Sequence, residues 1–277
     1  MTWASSCCEL PWLTALALGD IAATVVVFAF SVLFDNSSVY DPYWSVAPIV
    51  FCGAHLAFAA QVPTSRAAMV TVFVLAWGAR LTWNWARGWT GFAHEDWRYR
   101  AFRVRFGRGY WPMSLLGIHL VPTAFTFAGS LALAPALLSA SPLGLLDVGA
   151  IFVTSLGIAL ETVADQQLRR FTLARARGER AAEAICAEGL WARSRHPNYL
   201  GEILFWWGVW LFGVSAAPAA WAWTLVGPLT ITAMFVFVTL PMMDRRHLAR
   251  RPAYGAHMRR VPSLIGPGAA STDSTET

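Results

Sequence analysis

The chain reads as long apolar runs separated by short polar, arginine-rich connections. Seven runs stand out: Pro11–Phe34, Ser45–Val62, Ala67–Trp85, Trp111–Leu138, Leu143–Val163, Tyr199–Ala217 and Ala220–Leu240. Each reaches or approaches the roughly 20 residues that an α-helix needs to cross a bilayer. No run alternates with the two-residue period of a half-buried strand. The pattern predicts an all-α fold, a polytopic membrane bundle of seven transmembrane helices. The connection Ala217–Ala220 is so short that the helices on either side must be antiparallel neighbours. Residues 1–266 are expected to form one domain. The Ser/Thr-rich stretch 267–277 has no apolar face and is expected to be a disordered tail.

Composition sharpens this. Hydrophobic residues make up 56% of the 277, and charged residues only 13%, against about 25% in soluble domains. All 21 basic residues are arginine, so lysine Schiff-base chemistry is excluded. The arginines cluster after the third, fifth and seventh runs and are absent after the fourth and sixth. By the positive-inside rule those three regions are cytoplasmic with the C-terminus, and the N-terminus is outside. Pro11–Phe34 has no basic leader or small-residue cleavage site and reads as a span. The four cysteines show no metal-ligand spacing, and no metal is expected. Asp20, His55 and His119, isolated within spans, are expected to make interhelical hydrogen bonds. Membrane lipids are the expected surroundings, a monomer the expected state, and nucleic acid is not an expected partner.

The richest stretch is Gly189-Leu-Trp-Ala-Arg-Ser-Arg-His-Pro-Asn-Tyr-Leu-Gly-Glu202, which opens directly onto an apolar run. Pro197 suits a first helical turn, and the free N–H groups after it favour anions. Arg193, Arg195 and His196 lie just before it. Asn198 and Glu202 share a helical face, and a carboxylate at membrane depth is usually functional. Glu161, Asp165 and Arg169 fall at four-residue steps near the end of the fifth run. Beyond the last run come Asp244-Arg245-Arg246-His247, Tyr254 and Arg259-Arg260-Val261-Pro262, a basic cluster suited to phosphate or to anionic headgroups. In the third run, Arg80, Asn84 and Arg87 share a face. Asp41-Pro42 reads as a helix N-cap.

The Arg-His-Pro-Asn-Tyr run and its Gly201-Glu202 continuation resemble the signature of membrane sterol reductases and of the steroid 5α-reductase family, especially a bacterial branch of formerly uncharacterised membrane proteins. The likeness is strongest from Glu161 to Pro262 and extends over about 110–266. It implies a bacterial inner-membrane enzyme that transfers a hydride from NADPH to the C=C of an α,β-unsaturated ketone. The substrate would be a steroid or other isoprenoid enone, most aptly a Δ4-3-oxosteroid. Asp165 and Arg169 match the family's cofactor face. The likeness assigns the cofactor to Arg80, Asn84, Arg87, Asp165, Arg169, Arg193, Arg195, His196, Asn198, Tyr199, Glu202, Arg245, Arg246, His247 and Tyr254. Asp41, seven residues before Pro48, stands where the family has a catalytic Glu, and Tyr40, Trp44 and Trp77 fall beside the substrate. Trp77 replaces a family Tyr, and an indole cannot supply a proton as a phenol can; Tyr40 or Tyr43 is expected to provide that hydroxyl. A related Arg-His-Pro-x-Tyr signature occurs in isoprenylcysteine-type membrane methyltransferases, which makes S-adenosylmethionine-dependent methyl transfer the alternative. Against it stand Glu202 and the arginines after Asp244.

Overall fold

A computed structural model describes residues 6–59 and 64–266. The expected tail, 267–277, lies outside the described residues. These are entirely helical: α1 (Ser6–Leu33), a 3-10 turn (Ser37–Tyr40), α2 (Tyr43–Phe58), α3 (Ser65–Gly88), α4 (Trp97–Phe106), α5 (Tyr110–Ser114), α6 (Val121–Ser130), α7 (Leu133–Leu138), α8 (Leu145–Ala176), α9 (Pro197–Ala216), α10 (Trp221–Thr224), α11 (Val226–Met234), α12 (Leu240–Arg250) and α13 (Tyr254–Arg260). π-helical turns at Leu115–Leu120 and Phe235–Thr239 join α5 to α6 and α11 to α12.

Among the described residues, five helical stretches are long and apolar enough to cross a membrane: Pro11–Leu33, Trp97–Leu138, Leu145–Ala176, Pro197–Ala216 and Pro218–Arg250. They coincide with five of the seven runs. The other two form helices of a different quality. α2 has only 16 residues, about 24 Å at 1.5 Å per residue. α3 has 24 residues but carries Arg66, Arg80 and Arg87.

The chain divides into two compact units. The first holds the residues up to Gly144 together with Phe212–Gly227; the second holds Leu145–Leu211 and the residues from Pro228 onward.

In the first unit, α2 and α3 approach so closely that a Cβ on Gly78 would lie 2.6 Å from the Ser45 carbonyl oxygen. Polar staples tie the connections down. Arg66, 1% exposed, donates to the Ser141 carbonyl (2.9 Å), Ser141 Oγ (2.9 Å) and the Pro142 carbonyl (2.8 Å). Asn36 donates to the carbonyls of Phe92 (2.7 Å) and His94 (2.9 Å). Glu95 accepts from Ser37 N (2.9 Å) and pairs with Arg103 (2.7 Å). Glu95 and Arg103 therefore fasten the loop before α4, because a buried carboxylate must be compensated by donors or charge. The isolated polar residues are satisfied as expected. Asp20 accepts from Tyr43 (2.6 Å), Trp12 donates to His55 (3.1 Å), and His119 bonds Ser31 (3.0 Å) and the Ser114 carbonyl (3.0 Å).

In the second unit, α8 and α9 meet across glycines. A Cβ on Gly201 would lie 2.5 Å from Glu161 Cγ and 2.6 Å from the Gly157 carbonyl; one on Gly157 would lie 2.7 Å from the Gly201 carbonyl. Small residues of this kind let apolar helices touch backbone to backbone. The loop from α8 to α9 folds back on α8. Trp191 Nε1 donates to the Ala164 carbonyl (3.0 Å), Leu190 N donates to Gln167 (2.9 Å), and Phe171, Cys186 and Trp191 pack together. Gly189 has φ 60°, a left-handed conformation that glycine adopts readily.

Candidate functional site

The Arg195-His196-Pro197 motif sits where α9 begins, as Pro197 predicts. Its centre is Asp244 of α12, 49 and 48 residues away in sequence from Arg195 and His196. Arg195 grips that carboxylate through Nη2 (2.8 Å) and Nε (3.3 Å) and donates through Nη1 to the carbonyls of Met258 (3.2 Å) and Val261 (2.5 Å). His196 Nε2 lies 3.0 Å from Asp244 Oδ1, and Tyr254 Oη donates to the same oxygen at 2.9 Å. The backbone joins in. Arg195 N donates to the Pro262 carbonyl (2.9 Å), and His196 N to the Ser263 carbonyl (3.1 Å). One buried carboxylate thus ties α9, α12 and α13 together. Tyr254 is pushed above the ordinary phenol range, first by burial and then by the Asp244 charge. It stays a neutral donor at physiological pH.

Several of the residues expected at a cofactor are bonded to one another or to the backbone. Arg195 has five N–H donors, and four are committed to Asp244 and the two carbonyls. His196 and Tyr254 direct their polar atoms to Asp244. His196 also stacks on Tyr199, with ring centroids 5.4 Å apart, and His247 lies 3.0 Å from Arg251. The polar face of α8 and α9 is a second cluster, with Glu161 and Glu202 both buried. Because the two helices meet at Gly157 and Gly201, Glu161 packs on Gly201, one residue from Glu202. Glu202 is buried and accepts from Trp206 Nε1 (2.9 Å). Asp165 follows Glu161 by one turn, and Arg169 is exposed one turn later. In the first turn of α9, Asn198 Oδ1 is buried without a hydrogen-bond partner. Such an orphan acceptor costs on the order of 1–3 kcal/mol and calls for an explanation. Arg193, Arg245 and the flanking Arg250, Arg259 and Arg260 are exposed.

In the first unit, Asp41 does not cap α2. It ends the 3-10 turn Ser37–Tyr40, while Pro42 precedes α2 without a side-chain cap bond. Its Oδ1 accepts from Tyr99 Oη of α4 at 2.5 Å and lies 3.7 Å from Arg98. Burial pushes Asp41 up to about 6, against the opposing pull of Arg98 and of the Tyr99 hydrogen bond. The hydroxyl that lies against Asp41 is that of Tyr99, not of Tyr40 or Tyr43. Tyr40 bonds Thr123 (2.8 Å) and Tyr43 bonds Asp20. Trp77 is fully buried and Trp44 half-buried. Arg87 donates to Asn84, one turn earlier on α3, where Arg80 also lies.

A family model described as "Protein of unknown function (DUF1295)" matches residues 27–261. The chain belongs to the DUF1295 family. A relative in Schizosaccharomyces pombe (strain 972 / ATCC 24843), named "Uncharacterized protein C594.04c", is 26% identical over 271 residues, covering 91% of this chain and 78% of that one. No solved structure matches the chain. The matched residues 27–261 include Asp41, the α8–α9 face and Asp244.

Two residues central to these sites escaped sequence reasoning as partners, Asp244 and Tyr99. Asp244 left one signal: it is the only acid among six arginines between residues 240 and 266. An isolated buried-side acid in such surroundings is a natural hub for guanidinium groups. Tyr99 left none, because it lies 58 residues from Asp41.

Proposed function

We propose that this DUF1295 protein is a membrane reductase of the steroid 5α-reductase type, using NADPH to reduce the C=C of an α,β-unsaturated ketone, most aptly a Δ4-3-oxosteroid. The observation that carries the reading is the α8–α9 polar face. It combines the motif Arg195-His196-Pro197-Asn198-Tyr199 with a buried, partnerless Asn198 Oδ1 and the carboxylates Asp165 and Glu202. These groups fit the nucleotide chemically. The lone acceptor of Asn198 suits a carboxamide or hydroxyl donor, carboxylates suit ribose hydroxyls, and the exposed Arg169 and Arg193 suit phosphates, including the 2′-phosphate. NADPH, when bound, supplies a hydride. The chain's own contribution there is to bind and orient. Arg195, His196 and Tyr254 hold the α9 entrance and the 254–263 segment in place through Asp244.

Within the first unit, the Tyr99–Asp41 pair holds a proton in a buried setting. With its carboxyl pushed up to about 6, Asp41 keeps a protonated fraction near neutrality, and Tyr99 Oη is a hydroxyl donor beside it. Such a pair suits stabilisation of negative charge developing on a ketone oxygen.

The same reading counts α2 and α3 as two further spans, giving seven, with the N-terminus outside and the C-terminus cytoplasmic. The placement of the arginines supports that orientation.

The test is turnover by the purified full chain in detergent. Loss of nicotinamide absorbance on adding a Δ4-3-oxosteroid, with NADPH well preferred to NADH, is the expected result. Transfer of a methyl group from S-adenosylmethionine to an isoprenoid or lipid acceptor, with no nicotinamide consumed, would replace this reading with the methyltransferase one.

A further inference from the structure

A groove of about 600 Å³ runs within the second unit between α12 and the segment from α13 to Ile265. One wall carries Val236, Leu240 and Leu248, spaced by multiples of four residues; the other carries Met258, Leu264 and Ile265. The volume lies in the range of small-molecule sites, about 300–1,000 Å³. Its lining is mainly apolar, and two of its polar residues, Arg195 and Asp244, neutralise each other at 2.8 Å. What remains is one exposed cation, Arg245, beside an apolar channel. A dinucleotide, whose pyrophosphate and ribose hydroxyls need several polar partners, does not suit such a lining.

We infer that this groove binds an anionic glycerophospholipid of the bilayer, with an acyl chain along the α12–α13 channel and the headgroup phosphate on Arg245. Three observations lead there. The groove lies at the end of the apolar stretch Pro218–Arg250, where that stretch turns basic. The residues from 240 to 266 contain six arginines and one acid, and that acid is already paired. Apolar side chains at the groove stay uncovered, with Ile265 77% and Leu248 39% exposed. The chain's own end is not a fitting occupant, since residues 267–277 contain no Leu, Ile, Val, Met, Phe or Trp. This assigns Arg245 to a lipid headgroup rather than to the nucleotide, and it stands independently of the reductase reading.

The experiment measures lipid retained by the full chain, purified in neutral detergent, by native mass spectrometry. Phosphatidylglycerol and phosphatidylcholine with the same acyl chains are offered in parallel. Inorganic phosphate and NADPH serve as competitors. The expected result is preferential retention of phosphatidylglycerol. Arg245→Gln should weaken it roughly five-fold, the equivalent of about 1 kcal/mol per cation near an anionic surface. Ile265→Ser, at an exposed position that folding tolerates, should weaken both lipids several-fold. Arg177→Gln, in an exposed pair with Glu179, should change nothing. Equal retention of the two lipids would overturn the proposal. So would an Arg177→Gln effect as large as that of Arg245→Gln, wild-type retention by Ile265→Ser, or full displacement by phosphate or NADPH.

Discussion

Replacing Asp244 by Asn removes one charge and almost no volume, yet it disturbs every partner of the α9 entrance. Arg195 and Asp244 have side chains only 9% and 11% exposed, so solvent screens their interaction little. Removing one member of such a buried pair costs about 3–5 kcal/mol, because the other charge is left uncompensated. Asn retains a carbonyl oxygen that can accept from Tyr254 or Arg195, which places Asp244→Asn near the lower end. At roughly 2–4 °C per kcal/mol for a chain of this class, the melting temperature should fall by about 6–12 °C. The melt can be followed by intrinsic fluorescence in detergent, since the chain has 15 tryptophans. The location of the damage is a sharper readout. Residues 254–263 are held by carbonyls that accept from Arg195, so amide exchange in that segment should speed up before exchange elsewhere in the second unit. A melt within 2 °C of wild type, with unchanged exchange over 254–263, would refute the hub role of Asp244.

Other outcomes follow from the same geometry. Asp41 is raised to about 6, so the folded state favours its protonated form. That contribution is fully present below about pH 4 and is lost as pH rises through about 6. The melting temperature of wild type should therefore decline over this window more than that of Asp41→Asn; parallel pH profiles would count against the raised carboxyl. Gly201→Ala places a Cβ 2.6 Å from the Gly157 carbonyl and should cost about 1–3 kcal/mol or more by overpacking, whereas Gly149→Ala, with nothing within 4 Å, should be neutral; equal melts for the two would contradict the α8–α9 contact. Arg66→Met removes the bonds donated to the Ser141 and Pro142 carbonyls and should lower the melting temperature by several degrees, since a hydrogen bond from a charged group contributes about 1.5–3 kcal/mol; an unchanged melt would show that the staple contributes nothing.

The sequence carried some of this better than the rest, for physical reasons. Apolar periodicity and a proline at a helix start are local signals, so α1, α8 and α9 follow from the runs Pro11–Phe34, Leu143–Val163 and Tyr199–Ala217, with Pro197 opening α9. The run Trp111–Leu138 conceals a π-helical turn at Leu115–Leu120 and a break before α7, because hydropathy records burial and not hydrogen-bond register. The Arg195 motif was visible, but the object of its guanidinium was not. Donor and acceptor lie 49 residues apart, and nothing local in Asp244 says which arginine it meets. The same holds for Asp41, whose local context reads as a cap and whose partner Tyr99 comes from another helix. Asn198 shows the converse. Its position was legible from the motif, whereas the isolation of its Oδ1 emerges only once α9 is packed.

The most direct measurement is a ligand-dependent melt of the full chain in detergent, with NADPH, NADH and S-adenosylmethionine in parallel. A ligand that binds only the folded state raises the melting temperature by mass action, by about 2.7 kcal/mol of stability at a hundred times its Kd. The account predicts a clear rise with NADPH, a much smaller one with NADH, and loss of the NADPH rise in Asn198→Leu. A rise with S-adenosylmethionine alone would contradict it and make the α8–α9 face a methyl-donor site.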